Sequence, residues 1–269
     1  MAIKILQQLE NDIIKEYNAI ENISLAKVAK KFKVDPATVR RVLIRNNYRV
    51  RTINEIKTKY TFDINFFDNI DCESKAYWLG FIYADGVVTG KVFQIKIHNK
   101  DINLLEKFKQ DIKSTHPIHT YFTNQGYSNN TTYCTILFTN EVFVNKLIMK
   151  GVLKQKSLIL KFPTNDQVPN HLIHHFMRGY FDGDGSIYCS KNSPICNVVG
   201  TIEFLTEYRK LLPIESNAKI YKEKRTEKNT WYIVLGGSHI VKNIFDFLYK
   251  DAYVYLDRKY ERFKNYLLT

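Results

Sequence analysis

Tyr77-Trp-Leu-Gly-Phe-Ile-Tyr-Ala-Asp-Gly86 and Phe176-Met-Arg-Gly-Tyr-Phe-Asp-Gly-Asp-Gly185 decide how the rest of the chain is read. Each carries small residues four apart, Gly80 with Ala84 and Gly179 with Gly183. On a helix that spacing puts both on nearly one face, where two backbones can approach closely. Each stretch then closes on Asp-Gly, and Gly86 and Gly185 are expected to supply a left-handed helix stop. Two such helices packed together would bring Asp85 and Asp184 to one end.

The surrounding sequence runs through one plan twice. After the first stretch, Phe93, Ile95 and Ile97 alternate with Gln94, Lys96 and His98, the period-two pattern of a strand with one polar face. Helices are expected at 103–112 and 201–211. Residues 132–138 followed by 143–150 parallel 231–235 followed by 240–249, and 151–156 parallels 252–259. Divergent repeats of roughly 100 residues imply a pseudo-twofold molecule, like a dimer fused into one chain.

Bulk properties bound what this plan can serve. The 269 residues suffice for a large buried core, and with 45% hydrophobic residues no run approaches the length of a membrane span. Acidic residues interrupt the opening MAIKILQQLENDIIKEY, unlike a secretory signal. A soluble intracellular protein is expected, cytoplasmic if bacterial or phage-encoded, with an organelle also open. Lys and Arg number 40 against 27 Asp and Glu, a formal charge of +13 that favours a polyanionic partner. Cys72, Cys134, Cys189 and Cys196 form no C-x-x-C pair and read as reduced structural thiols rather than a zinc site.

Residues 1–52 read as a helical unit. Ile5, Leu9, Ile13 and Ile14 give a first helix one apolar face, and Ser24 caps a short second helix ending at Phe32. A Lys33-Val34-Asp35 turn leads to Pro36 at the first position of a third helix. That helix turns Val39, Val42 and Leu43 inward and Thr38, Arg40, Arg41 and Arg45 outward. The segment SLAKVAKKFKVDPATVRRVL resembles the small helix-turn-helix modules of resolvases and phage regulators, which implies DNA contact through those four residues. Within 1–60 there are 13 Lys and Arg against 6 Asp and Glu, consistent with that role. A plain three-helix bundle with a solvated basic face has the same pattern. Residues 53–74 lack clean periodicity and are expected to include a linker; the repeats then occupy 75–170 and 171–269.

Two carboxylates forced close do not both stay ionised cheaply without a cation between them. Oxygen ligands of this kind suit Mg²⁺, which shares its remaining positions with water and phosphate. The paired stretches resemble the motifs of the LAGLIDADG homing endonucleases. That resemblance implies an α+β fold in which two αββαββα half-domains form a saddle-like DNA-binding surface. It implies a monomer that cuts both strands of a long double-stranded DNA site. Position by position, it makes Asp85 and Asp184 the catalytic metal ligands, sharing two or three Mg²⁺ ions that Mn²⁺ may replace. Trp78 and Tyr83 depart from the family's motif, the latter where an acid often stands. Asp182 precedes the matched acid by two residues and reads as a helix-end residue. A calcium loop at Asp182-Gly-Asp-Gly-Ser186 lacks the glutamate an EF-hand needs, since Ser193 stands at that place.

Family lysines near the active site point to Lys156 and Lys259 as further catalytic residues, with Lys161 competing for the first half. Curved antiparallel strands can line a major groove. DNA contacts are therefore expected from Gln94, Lys96 and His98 in the first half and from Lys219, Tyr221, Lys222, Lys224 and Arg225 in the second. An RNA-splicing maturase or a DNA-binding regulator on the same scaffold is the alternative.

Overall fold

The computed structural model describes residues 2–20, 23–52, 59–123, 131–153, 159–191, 193–214, 218–224 and 229–268. The chain forms two compact units, Met1–Thr61 and Phe62–Thr269.

In the first unit, helices α1 (Ala2–Ala19), α2 (Leu25–Phe32) and α3 (Pro36–Arg45) enclose a small core of Ile13, Tyr17, Ile23, Val28, Ala29, Val39, Val42 and Leu43. The boundaries follow local chemistry. Ser24 Oγ accepts from the Lys27 N–H at 3.2 Å, and Asp35 Oδ1 accepts from the Ala37 N–H at 2.7 Å, so each helix start is capped. Lys33 takes the left-handed conformation (φ 55°) that ends α2. Arg51 ties the segment after α3 back to α1, lying over the Tyr17 ring and donating to Tyr17 O and Ile20 O.

The second unit runs the same order of elements twice. The first pass is α4 (Glu73–Asp85), β1 (Gly86–Thr89), β2 (Val92–His98), α5 (Ile102–Asp111), β3 (His119–Thr123), β4 (Thr131–Thr139) and α6 (Glu141–Met149). The second is α7 (Ile173–Asp184), β5 (Gly185–Ser190), β6 (Ser193–Gly200), α8 (Ile202–Lys210), β7 (Ile220–Lys222), β8 (Trp231–Gly236) and α9 (Ser238–Tyr249), followed by α10 (Asp257–Leu268). The strands form two antiparallel sheets, ordered β1-β2-β4-β3 and β5-β6-β8-β7. Strand side chains alternate, so Phe93, Ile95 and Ile97 enter the core from one sheet and Cys196 and Val198 from the other. This is the α+β, two-half-domain fold that the resemblance of the paired motifs implies, with the pseudo-twofold plan expected from the repeat.

Between the halves, α4 and α7 cross with their backbones in contact. A Cβ at Gly80 would lie 2.0 Å from Phe176 O, and one at Gly179 would lie 2.0 Å from Tyr77 O. One turn further on, a Cβ at Gly183 would lie 2.2 Å from that of Ala84. The small residues are thus a steric requirement of the crossing.

A buried ionic clamp fixes the other end of the pair. Arg178, on α7, is fully buried and donates to Val254 O, Leu248 O and the Glu73 carboxylate at the start of α4. Glu73 Oε1 also accepts from the N–H groups of Tyr253 and Val254. The His175 ring shares Arg178 Nη1 at 2.8 Å, and burial with the adjacent guanidinium pushes its pKa down to about 3.

Two expectations are corrected. Gly86 (φ −74°) and Gly185 (φ −90°) are extended rather than left-handed. Each helix runs straight into a strand, and glycine is needed for space. A Cβ would lie 2.7 Å from Ile82 O at Gly86 and 2.5 Å from Phe181 O at Gly185. Residues 62–72, expected within a linker, instead pack Phe62, Phe66, Phe67 and Ile70 into the main core. Phe62 stacks on Phe138 with ring centroids 4.3 Å apart. This segment has neither helical nor strand periodicity because its aromatic residues insert individually.

Replacing Gly179 by Ala is expected to cost about 3 kcal/mol or more in urea unfolding, because the carbonyl it meets is backbone and cannot rotate away. Gly236→Ala, where the nearest atom is 3.5 Å away, should stay within about 1 kcal/mol of the parent chain. Equal effects would refute the close crossing.

Candidate active site at the paired helix ends

The crossing delivers Asp85 and Asp184 together as the last residues of α4 and α7, both half-buried. A Cβ at Gly183 would lie 3.3 Å from Asp85 Oδ2, so the first carboxylate reaches across onto the second helix's final turn. Both acids act on the same neighbours, the Lys259 ammonium and the Tyr180 hydroxyl. A cavity of about 180 Å³ opens beside Asp184, with Tyr83, Tyr180, Thr201 and Thr230 in its wall. Among the described residues, no three or more His, Cys, Asp or Glu side chains converge to hold a metal ion. The two carboxylates alone leave most of an octahedral shell to water or substrate.

Asp182 has a different environment. It is buried, with Oδ2 accepting from Tyr77 Oη (2.8 Å) and the Leu256 N–H (2.7 Å), and Oδ1 accepting from Tyr249 Oη (2.6 Å). Burial raises its pKa, against the pull of Lys259 and the three donors. All three of these contacts point into the core, so the carboxylate joins α7 to α4, α9 and the segment before α10. At the equivalent place on α4, Tyr83 donates to Lys150 O at 2.6 Å. One half therefore ties its helix end with an acceptor and the other with a donor.

Lys259 is 3% exposed and enters the same region from α10. Its Nζ donates to Phe181 O (2.7 Å), Asp182 O (2.6 Å), Gly183 O (3.3 Å) and Gly185 O (2.5 Å). Three of these carbonyls belong to the last turn of α7 and the fourth to the first residue of β5, and a cation here also meets the negative end of the macrodipole. Burial lowers the lysine's pKa to about 8, with Asp182 acting in the opposite direction. The geometry makes Lys259 a cap on the turn that carries Asp184. Lys161 is exposed on the segment between the halves, and Lys156 lies outside the described residues.

The expected nucleic-acid contacts fall into separate sets. On the first unit, Arg40, Arg41 and Arg45 are exposed and Thr38 is half-buried. Arg41 donates to Thr38 Oγ1, and Arg45 pairs with Glu10 of α1. On the first sheet, Gln94, Lys96 and His98 share the face opposite the core. Gln94 donates to Thr135 Oγ1, and Lys96 is held over the Tyr121 and Tyr133 rings. His98 Nδ1 accepts from the Lys100 N–H and so caps the turn after β2. On the second sheet, Tyr221 pairs with Tyr232 and stacks on its ring, while Lys222 pairs with Trp231 and so takes the opposite face. Lys219 and Lys224 are exposed at either end of β7, and Arg225 lies outside the described residues.

Several residues that shape this site were missed in the sequence: Tyr180, Arg178, Glu73 and the tyrosines around Asp182. Only Tyr180 carried a local signal, since it stands four residues before Asp184 and so on the same helix face.

Residues 172–247 match the model of the LAGLIDADG-like domain. That stretch begins just before α7 and ends within α9, so it takes in the second motif helix and its sheet. Among solved structures, the I-SmaMI meganuclease bound to uncleavable DNA is 14% identical, over 71% of this chain and 88% of that one, with a TM-score of 0.45. The I-LtrWI LAGLIDADG homing endonuclease bound to target DNA is 15% identical, over 76% and 89%, with a TM-score of 0.46. The I-AabMI meganuclease bound to uncleaved DNA is 15% identical, over 71% and 87%, with a TM-score of 0.44. No curated protein matches the chain.

Lys259→Met keeps the apolar stem but removes the buried ammonium that the carbonyls at the end of α7 share. A loss of about 3 kcal/mol in unfolding free energy is expected. Unchanged stability would exclude the capping role.

Proposed function

We propose that this chain is a site-specific endonuclease that hydrolyses both strands of a long double-stranded DNA site with divalent metal held at Asp85 and Asp184. The reading rests on one observation: two half-buried carboxylates end two helices that cross backbone to backbone. The LAGLIDADG-like match at 172–247 supports it for the second of those helices.

The donor set fits Mg²⁺, or Mn²⁺ in its place. Both ligands are hard oxygens, and two carboxylates leave room for water and phosphate, as Mg²⁺ sites at phosphates commonly do. When bound, such an ion supplies Lewis-acid stabilisation of charge developing on the phosphate oxygens. The chain's own residues supply position. The glycine crossing sets the spacing of the carboxylates, and Lys259 and Asp182 lock the turn on which Asp184 sits. The outer sheet faces, with Gln94 and Lys96 on one and Tyr221 on the other, would contact the DNA on either side of the cut. Two half-sites in one chain support a monomer, acting inside the cell where its DNA is.

Conversion of either aspartate to asparagine removes the negative charge of a proposed metal ligand with little change of shape. In cleavage of a target library with Mg²⁺, Asp85→Asn and Asp184→Asn should each lose about 10³-fold or more in rate, while filter binding of the same DNA stays within about tenfold. A binding protein on this scaffold, whether regulator or maturase, has no use for the pair. Wild-type cleavage by both variants would sink the assignment.

In this reading the first unit adds a second hold on flanking DNA through Arg40, Arg41 and Arg45, raising effective concentration without touching the chemistry. Deleting residues 1–61, which have a core of their own, should weaken DNA binding about tenfold or more and preserve metal-dependent cleavage at saturating protein. A truncated chain that folds, as judged by circular dichroism, yet cuts at no concentration would contradict this division of labour.

A further inference from the structure

Tyr180 precedes Asp184 by one helical turn on α7, and side chains so spaced are neighbours on one face. Its ring is 1% exposed and packs on Phe204 at 4.1 Å between centroids. The hydroxyl donates to Val199 O of β6 at 2.9 Å, and a Cβ at Gly200 would lie 3.0 Å from the Tyr180 hydroxyl oxygen. Sheet and helix together therefore fix the hydroxyl. The Asp184 carboxylate, one turn further along the same helix face, acts electrostatically on it, and both border the cavity beside the paired helix ends.

The hydroxyl has one proton and two acceptors, the Val199 carbonyl and the carboxylate. A charged acceptor makes the stronger bond. On α4 the equivalent residue is Phe81, packed against Trp78 and Tyr77, which has no hydroxyl to offer. The halves thus differ at the residue that sits one turn behind the metal ligand.

We infer that Tyr180 is a positioning residue for Asp184: with its ring locked between helix and sheet, its hydroxyl turns its one proton from Val199 O to the carboxylate when a cation is bound, holding one carboxylate oxygen and turning the other toward the divalent cation, a device the first half does not have. The inference rests on the proposed metal role of the two aspartates. It predicts inequivalent half-sites, with the two DNA strands cut at different rates. Partners that orient a metal ligand in this way commonly change metal affinity by 10- to 100-fold when removed.

The test uses the full chain and Mn²⁺, followed by electron paramagnetic resonance, in the parent protein, Tyr180→Phe, Asp184→Asn and Tyr208→Phe. Tyr208 donates its hydroxyl to Met177 O in the same core at 3.2 Å and controls for loss of a buried hydroxyl bond. Tyr180→Phe should weaken the Mn²⁺ signal that depends on Asp184 about tenfold, and Tyr208→Phe should leave it unchanged. On a cleavable target, strand-resolved gels should show Tyr180→Phe slowing one strand relative to the other. Parental Mn²⁺ affinity in Tyr180→Phe, equal weakening by Tyr208→Phe, or equal slowing of both strands would overturn the inference. A Tyr180-dependent Mn²⁺ site in a chain that cuts no DNA would refute the nuclease reading and leave the positioning role standing. Absence of any Asp184-dependent Mn²⁺ binding would overturn both.

Discussion

The second unit depends on a contact with no side chain in it. Gly80 meets Phe176 O and Gly179 meets Tyr77 O, each at a distance that excludes a Cβ. Because the relation is reciprocal, neither helix can slide or rotate without losing it. Helices at ordinary separation would place their last residues further apart, and Asp85 would no longer reach the final turn of α7. The spacing of the carboxylates is therefore a consequence of missing methyl groups a turn or more away.

Around that crossing the chain invests its polar groups unevenly. The start of the helix pair is clamped by Arg178 and Glu73, with His175 kept neutral beside the guanidinium. The far end of α7 is held by Lys259 on its carbonyls and by Asp182 among two tyrosines and a backbone N–H. Buried charge of this kind is a weak source of net stability, because desolvation opposes the attraction. What it provides is a single geometry. The side that carries α7 receives most of this bracing, whereas α4 ends on a Tyr83 bond to Lys150 O. A pseudo-symmetric fold thus presents an asymmetric floor beneath its two carboxylates.

The outer sheet faces show the same divergence. Lys96 is fixed over two tyrosine rings on the first sheet, while the second sheet stacks Tyr221 on Tyr232 and places Lys222 on the other side. In the proposed function, halves that contact the two arms of an asymmetric DNA site need such differences. The shared helix crossing restricts change at the centre and leaves the sheets free to vary.

The sequence by itself determined the repeat, the order of elements and the place of the two aspartates, because each depends on local periodicity. Gly80, Ala84, Gly179 and Gly183 lie at helical spacing, and Phe93, Ile95 and Ile97 lie at strand spacing. The cap at Ser24 and the helix start at Pro36 were legible from local chemistry, and the structure adds Asp35 as the cap of that helix. Only the tertiary structure decided that Gly86 and Gly185 are small for want of space rather than for handedness. The same holds for residues 62–72 as part of the core and for Lys259 as a helix cap. Each of these turns on an atom brought from a distant part of the chain, such as the α10 ammonium reaching the carbonyls of α7. A sequence pattern records which face a residue occupies; what that face meets is set by packing.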